Sequence, residues 1–240
     1  MKLVVTSDWH LDHVSHGVSR FEELARAVDK TVETAVEIDA DAYVFLGDLC
    51  DPDSGSVVFR CIELAIRTGV KLASYGIDSI WVAGNHDVIE DGTGDTTLSP
   101  LRGVADGVVV FERPGAAMIA PKKDGEAVNL IALPFAATSH AYDVAKVGVE
   151  LARGYSSAKT LIAAHLCVPG VEPGEETKEL PRGREVILPV SDLRPHAATI
   201  MNGHYHRQQR SPDGVWIPGA LARLTFCEER NAPGFLIVEI

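Results

Sequence analysis

Five short blocks of polar residues stand directly after apolar, strand-like runs of this 240-residue chain. They are Asp8-x-His10, Gly47-Asp48, Gly84-Asn85-His86-Asp87, His165 and Gly203-His204-x-His206. In α/β sheets the carboxyl ends of the strands meet at one edge, so groups far apart in sequence converge there. We therefore predict that these blocks form a single cluster.

The residue types of this cluster indicate divalent metal chemistry. Carboxylate, imidazole and amide oxygen together suit manganese, iron or zinc, whereas an all-oxygen shell suits magnesium or calcium. Such a set exceeds the needs of one tetrahedral ion but suits two ions about 3.5–4 Å apart that share a carboxylate. We predict two ions, manganese first and iron or zinc as alternatives, with Asp48 as the bridge. The predicted ligands are Asp8, His10, Asp48, Asn85, His165, His204 and His206.

Each block alone also has an ordinary structural interpretation. Asp-x-His after a strand is usually a surface loop, Asn and Asp favour turns through local hydrogen bonds, and Gly-His-x-His also suits a solvated turn. Co-occurrence decides between the two, because five of the nine histidines stand at these positions in an order that one mechanism explains. The glycines before Asp48, Asn85 and His204 allow the close backbone approach that a crowded site requires.

The elements that must position these residues begin with a β-α-β-α-β pattern. Its members are Lys2 to Thr6, Ser19 to Asp39, Ala42 to Leu46, Val57 to Tyr75 and Ser79 to Ala83. Ser19 and Glu22 predict a capping box for the first helix, and Gly69 is a candidate interruption of the second.

Beyond residue 100 the pattern changes to short strands with one helix near Ser139–Leu151. The predicted strands are Val108–Phe111, Met118–Ala120, Val128–Ala132, Thr160–Ala164, Thr199–Met201, Val215–Ile217 and Phe235–Glu239. So many strands predict an α/β protein in which two sheets pack face to face with helices outside. We expect residues 1–240 to form a single domain.

Composition restricts the location and the partners. The chain opens without a signal-like segment, and no apolar stretch approaches the roughly 20 residues of a membrane span. The four cysteines lie far apart, without a Cys-x-x-Cys pair. We therefore expect a cytoplasmic protein with no membrane partner. The net charge of −12 would repel nucleic acid unless a local basic surface or bound cations reverse the field.

Taken in order, the blocks resemble the signature of the calcineurin-like metallophosphoesterase superfamily. The resemblance implies a four-layer α/β/β/α sandwich of two mixed sheets with a dinuclear metal site between them. It implies that one ion is held by Asp8, His10, Asp48 and His206, and the other by Asp48, Asn85, His165 and His204. It leaves His86 free for catalysis, oriented by Asp87. Two such ions lower the pKa of a bridging water, and the resulting hydroxide attacks phosphorus in line.

Flanking residues resemble the SbcD branch of double-strand-break repair nucleases more narrowly. They are Thr6–Leu11, Gly47–Asp51, His204–Gln209 and a tail that contains Pro218–Ala220, Arg223–Phe226, Glu228, Glu229, Gly234 and Phe235. This resemblance implies a DNA exonuclease or endonuclease with DNA as substrate and an SbcC-type ATPase as partner. Members of this branch usually continue into a DNA-recognition cap and an ATPase-docking segment, whereas this sequence stops at Ile240, and Ala220 stands where serine is frequent.

Alternative functions use the same metal site. A small-molecule phosphodiesterase, for example for cyclic nucleotides, or a phosphomonoesterase would suit the negative charge better. A non-catalytic scaffold is the third alternative, although all ligands and His86 are retained.

The last quarter of the chain holds arginines that either form a basic rim or pair with nearby glutamates. These arginines are Arg182, Arg184, Arg194, Arg207, Arg210, Arg223 and Arg230.

Overall fold

Strands and helices alternate through the first half of the computed structural model, which describes residues 1–135, 142–172 and 186–240. The helices are α1 (Phe21–Glu37), α2 (Val57–Ser74), α3 (Val144–Ala152) and α4 (Val190–Leu193). The strands are β1 (Lys2–Thr6), β2 (Val14–Ser15), β3 (Val18–Ser19), β4 (Ala42–Phe45), β5 (Asp78–Val82), β6 (Val108–Phe111), β7 (Gly115–Ile119), β8 (Val128–Leu133), β9 (Thr160–Ala164), β10 (Thr199–Asn202), β11 (Gln209–Arg210), β12 (Trp216–Ile217) and β13 (Leu236–Glu239).

Two mixed sheets carry the site. The first has the order β13-β1-β4-β5-β6, in which β1, β4, β5 and β6 run parallel and β13 pairs antiparallel with β1. The second has the order β11-β12-β10-β9-β8-β7, with β8, β9, β10 and β12 parallel. The parallel strands of each sheet therefore present their carboxyl ends at one edge.

Three apolar clusters show the layers. Side chains alternate along a strand, so Val4 of β1 packs towards the helices while Leu3 and Val5 face the second sheet. In the second sheet, Ile131 packs on the side of α3 and α4, and Leu130 faces the first sheet. A core between the sheets and one core beneath each helical layer make an α/β/β/α sandwich, which confirms the predicted fold class.

The helices follow the predicted apolar spacing but differ in detail. The helix α1 begins at Phe21 with Arg20 before it, and no side chain caps it, so the predicted capping box is wrong. The helix α2 runs through Gly69 without a break. A Cβ at Gly69 would lie 3.3 Å from Val108, so glycine there serves close packing against β6. Residues 139–141 of the predicted third helix lie outside the described residues.

Three features escaped prediction because they are too short to show an apolar periodicity: the β2–β3 hairpin, the strand β11 and the four-residue helix α4. The β2–β3 hairpin has two-residue strands with largely exposed side chains, and β11 is equally short.

Among the described residues, no helix combines the length and apolarity needed to cross a membrane.

Candidate metal centre

The loops after the strands are fastened to one another by backbone hydrogen bonds. Asp8 N–H donates to the Gly47 carbonyl at 2.9 Å, and His10 N–H donates to the Asp48 carbonyl at 3.1 Å. The loop after β9 is held to the end of β10, because the side chain of Asn202 accepts the Leu166 N–H and donates to the Leu166 carbonyl. Each sheet thus presents its polar residues as a fixed unit.

Backbone strain is concentrated at this edge. Six non-glycine residues among those described have positive φ, and four are predicted ligands: Asp8 (52°), His10 (40°), Asp48 (65°) and His204 (76°). Left-handed backbone costs a non-glycine residue about 1–2 kcal/mol. Such conformations persist where the surrounding structure forces them, and they occur preferentially at functional sites.

The first cluster consists of Asp8, His10 and His206, whose ligand atoms lie within 4.8 Å of one another. The Nε2 atoms of His10 and His206 are 3.0 Å apart, and His206 Nε2 is 4.0 Å from an Asp8 carboxylate oxygen. All three side chains are buried. They come from loops after β1 and β10, in different sheets, so the cluster lies where the two sheets meet.

The second cluster consists of Asp48, His165 and His204, again within 4.8 Å. The Asn85 side-chain oxygen joins it, at 3.0 Å from His165 Nε2 and 2.9 Å from His204 Nδ1. His165 Nδ1 contacts the Leu46 carbonyl, which fixes this nitrogen as the donor and leaves Nε2 as the ligand atom.

Asp48 stands between the two clusters, as predicted. One of its carboxylate oxygens is 3.7 Å from His10 Nε2 and 3.2 Å from His165 Nε2. Its other oxygen accepts the His86 backbone N–H at 3.0 Å. A carboxylate that faces a histidine of each cluster has the placement of a bridging ligand.

Two observations show that these residues fit divalent cations. Both carboxylate oxygens of Asp8 are buried, and neither has a hydrogen-bond partner among the described residues. An unpaired buried carboxylate is costly unless a cation occupies the space beside it. The donor set of carboxylate, imidazole and amide oxygen also suits transition-metal ions.

The pKa values of Asp8, Asp48 and His204 also suit a metal site. Burial, with repulsion from Asp48, raises the pKa of Asp8 to about 6. Burial opposes ionisation of Asp48 as well, but His165 and His86 outweigh it and hold the pKa of Asp48 well below its usual range. Burial and His165 lower the pKa of His204 to about 3, so this imidazole stays neutral, as a metal ligand must. A cation between Asp8 and Asp48 removes their repulsion.

Glycine is required where the strand-end loops touch. A Cβ at Gly84 would lie 2.6 Å from the Asp48 nitrogen and 2.8 Å from a ring carbon of His165. A Cβ at Gly203 would lie 2.8 Å from His165 Nδ1. The predicted reason for these glycines, close backbone approach at the site, is confirmed.

His86 occupies the open side of the centre with 41% of its side chain exposed. Its Nδ1 lies 2.6 Å from a carboxylate oxygen of Asp51, three residues after Asp48. Burial lowers the pKa of His86, but Asp48 and Asp51 outweigh it and raise the pKa to about 10. The expected orienting residue was Asp87, and the structure places Asp51 there instead.

The carboxylate of Asp87 bonds the loops after β4 and β5. Its carboxylate accepts hydrogen bonds from the backbone N–H groups of Asp48 (2.9 Å), Leu49 (2.9 Å) and Gly84 (2.8 Å) and from the Thr97 hydroxyl (2.7 Å). With no exposed surface, it fastens the loop after β4 to the loop after β5. The geometry indicates that Asp87 holds these loops together, whereas the sequence predicted that it orients His86.

Glu228 belongs to the site although the sequence did not single it out as a site residue. It is 2% exposed, and its carboxylate lies 2.8 Å from His206 Nδ1 and accepts the Leu224 N–H at 2.7 Å. This contact makes Nδ1 the donor and turns His206 Nε2 towards the first cluster. Its only signal in the sequence is its place in the tail flank.

The arginines of the last quarter are mostly held by other groups. Arg207 pairs with Glu172, Arg194 donates to the Asp213 carbonyl at 2.6 Å, and Arg210 stacks on Trp216. Arg223 donates to the Asn231 carbonyl, and Arg230 lies 4.0 Å from Glu229. Arg182 and Arg184 lie outside the described residues.

The fold and the paired ligand clusters are those of a metal-dependent phosphoesterase hydrolase. The chain belongs to the calcineurin-like phosphoesterase family, whose sequence profile matches residues 1–208. This confirms the family expected from the five blocks, and family and clusters together indicate a dinuclear site for divalent metal ions. Glu228 lies 20 residues beyond the matched range.

Relatives and solved structures agree with this assignment. The chain is similar to the SbcD subunits of the nuclease SbcCD from Escherichia coli strains K12 and O157:H7, each 26% identical over 254 residues. These alignments cover 95% of this chain and 60% of each relative, so the chain spans about 60% of their length. A dimetal phosphatase structure from Danio rerio shares the fold, with a TM-score of 0.51 at 12% identity, covering 99% of this chain and 91% of that one.

Replacing Glu228 with alanine is expected to weaken manganese binding at the first cluster by about ten- to a hundredfold, because the partner that orients a ligating histidine is lost. Titration calorimetry of the protein freed of metal measures this. Glu229→Ala is the matched control, since that side chain is 77% exposed. Equal affinities in the two variants would show that Glu228 does not orient His206.

Proposed function

We propose that this protein is a phosphodiesterase that hydrolyses DNA as an exonuclease or endonuclease of SbcD type, with two manganese ions. The position of Asp48 supports metal-dependent hydrolysis of a phosphoester, because this carboxylate faces one histidine of the first cluster and one of the second. DNA as substrate is supported by similarity along 95% of the chain to relatives named as nuclease subunits.

In this proposal the first cluster with Asp48 holds one ion, and the second cluster with Asn85 holds the other. The ions supply Lewis acidity that activates water and neutralises charge on phosphoryl oxygens. His86 contacts the phosphate or donates a proton to the leaving oxygen from Nε2, because Nδ1 is turned to Asp51. Its raised pKa keeps the ring protonated at neutral pH before the ions bind. Asp87 holds the loops that carry Asp48 and His86.

A small-molecule phosphodiesterase or phosphomonoesterase is the second candidate. The net charge of −12 favours it, as does the pairing of Arg207 with Glu172, since both reduce the attraction of DNA. The nuclease stays first because the resemblance extends over flanking residues that are not candidate metal ligands, such as Pro218–Ala220 and Arg223–Phe226.

Location, domain organisation and partnership are part of the same proposal. We propose a cytoplasmic location. We also propose that residues 1–240 form one domain, and the pairing of the last strand, β13, with the first, β1, supports this. An SbcC-type ATPase is the proposed partner, on the strength of relatives whose name makes them one component of SbcCD.

Hydrolysis of three substrates tests the function. With manganese, we expect cleavage of bis-p-nitrophenyl phosphate and of linear double-stranded DNA, both abolished by chelator, and much slower cleavage of p-nitrophenyl phosphate. The same assays with magnesium, zinc or iron in place of manganese show which metal ion supports the fastest hydrolysis. If small esters alone are cleaved, the protein is a small-molecule phosphoesterase and the nuclease proposal is wrong.

A further inference from the structure

An exposed aromatic pair lies on the tail side of the first cluster. Phe226 is 83% exposed, and its ring centroid lies 5.5 Å from that of His16, which is also exposed. We name these two residues the aromatic ledge. Phe226 is the most exposed large hydrophobic residue among those described. A ligand that covers such a ring removes apolar surface from water.

The ledge is held in place by the backbone beneath it. His13, just before the hairpin, and Ser15 of β2 contact the Leu224 carbonyl at 2.9 and 3.4 Å. Arg20, just after the hairpin, donates to the carbonyls of residues 223 and 224. These contacts join the hairpin, which carries His16, to the tail segment that leads into Phe226.

The ledge is also connected to the candidate metal ligands through a short stretch of chain. Phe226 lies two residues before Glu228, which contacts His206 at 2.8 Å. Two residues of chain span at most about 7 Å, so Phe226 lies close to Glu228 and, through the contact with His206, to the first cluster. A base within a few nucleotides of a phosphate at the metal centre would therefore be within reach of Phe226.

From this placement we infer that the ledge stacks an unpaired nucleobase of the substrate strand. The inference rests on the proposed function and narrows it to DNA ends or single strands, since a paired base has no free face to stack. Stacking on an aromatic ring tolerates any base, because each base has a π-face, and it requires no arginine. It therefore offers affinity for DNA that a net charge of −12 does not supply.

Binding of two oligonucleotides of equal charge tests the inference. One is an oligothymidylate of about ten nucleotides, and the other has the same phosphates with abasic residues throughout. Fluorescence anisotropy with chelator present, which prevents cleavage, gives both Kd values at low salt. We expect the unaltered protein to bind the thymidylate about tenfold more tightly, the size of one base stack. Phe226→Ala should abolish that preference.

Two further variants make the result specific. Phe226→Leu keeps an apolar side chain without a ring and should behave like the alanine variant. Phe59→Ala is the matched control, because Phe59 is 74% exposed on α2, and it should keep the full preference. Retention of the preference in both Phe226 variants would overturn the inference, as would a Phe226-dependent dimer in size-exclusion chromatography.

Failure of the proposed function has a different signature. The same protein is assayed for manganese-dependent cleavage of the thymidylate. Cleavage together with an unaltered preference in Phe226→Ala rejects the ledge alone. A Phe226-dependent preference without cleavage rejects the nuclease and keeps the ledge as a base-binding surface. Absence of any preference in the unaltered protein rejects the ledge directly.

Discussion

Asp48→Ala is expected to reduce manganese-dependent hydrolysis of bis-p-nitrophenyl phosphate by about a thousandfold or more. Loss of a single group that stabilises transition-state charge already costs about a hundred- to a thousandfold, and Asp48 serves both proposed ions. It faces His10 of the first cluster and His165 of the second at 3.7 and 3.2 Å. Calorimetry should therefore show weaker binding of both ions, beside the loss in kcat/KM.

The control for this variant is Asp106→Ala. Asp106 is exposed and precedes β6, at the end of the first sheet opposite to the site, so its removal should change neither turnover nor metal binding. Asp48→Asn, which keeps the volume and loses the charge, separates ligation from packing. An Asp48→Ala protein that loses one ion and keeps the other at full affinity would disprove the bridging role.

The sequence predicted the cluster because its members share a simple geometric property. Each follows a buried strand, and parallel strands end at a common edge whatever their order in the sheet. The strands Val108–Phe111 and Thr160–Ala164 have the predicted bounds. The direction of side chains along such strands follows from their alternation, so the three apolar layers were implied as well.

What escaped prediction depends on contacts between residues distant in sequence. Glu228 and His206 meet because the tail returns beneath the first cluster, and no periodicity of sequence reports that return. Asp87 lies in a motif block and Asp51 in a flank three residues after Asp48, and the sequence gives no means to decide which carboxylate faces His86. The structure decides it: three backbone N–H groups and a hydroxyl surround Asp87, which leaves Asp51 as the partner of the imidazole.

Replacement of His86 with alanine is the second change from which we expect a large loss. Turnover should fall by about a hundred- to ten-thousandfold, the usual contribution of a positioned acid or base. The backbone N–H of residue 86 keeps its bond to Asp48, so both ions should still bind. Kinetics on bis-p-nitrophenyl phosphate and calorimetry with manganese test the two halves of this prediction. His196→Ala serves as the control, since that residue precedes the amino end of β10.

The metal stoichiometry of His86→Ala decides between two roles for this residue. The side chain also lies within 4.8 Å of His10 and Asp48, a distance at which it could itself ligate an ion. A catalytic His86 predicts two bound ions and slow turnover, and Asp51→Asn should then reproduce part of that loss because the partner of Nδ1 loses its charge. A ligating His86 predicts one bound ion in His86→Ala, and Asp51→Asn should then weaken the binding of that ion. The exposure of His86 favours the first outcome, because 41% of its side chain is exposed whereas the four predicted histidine ligands are buried.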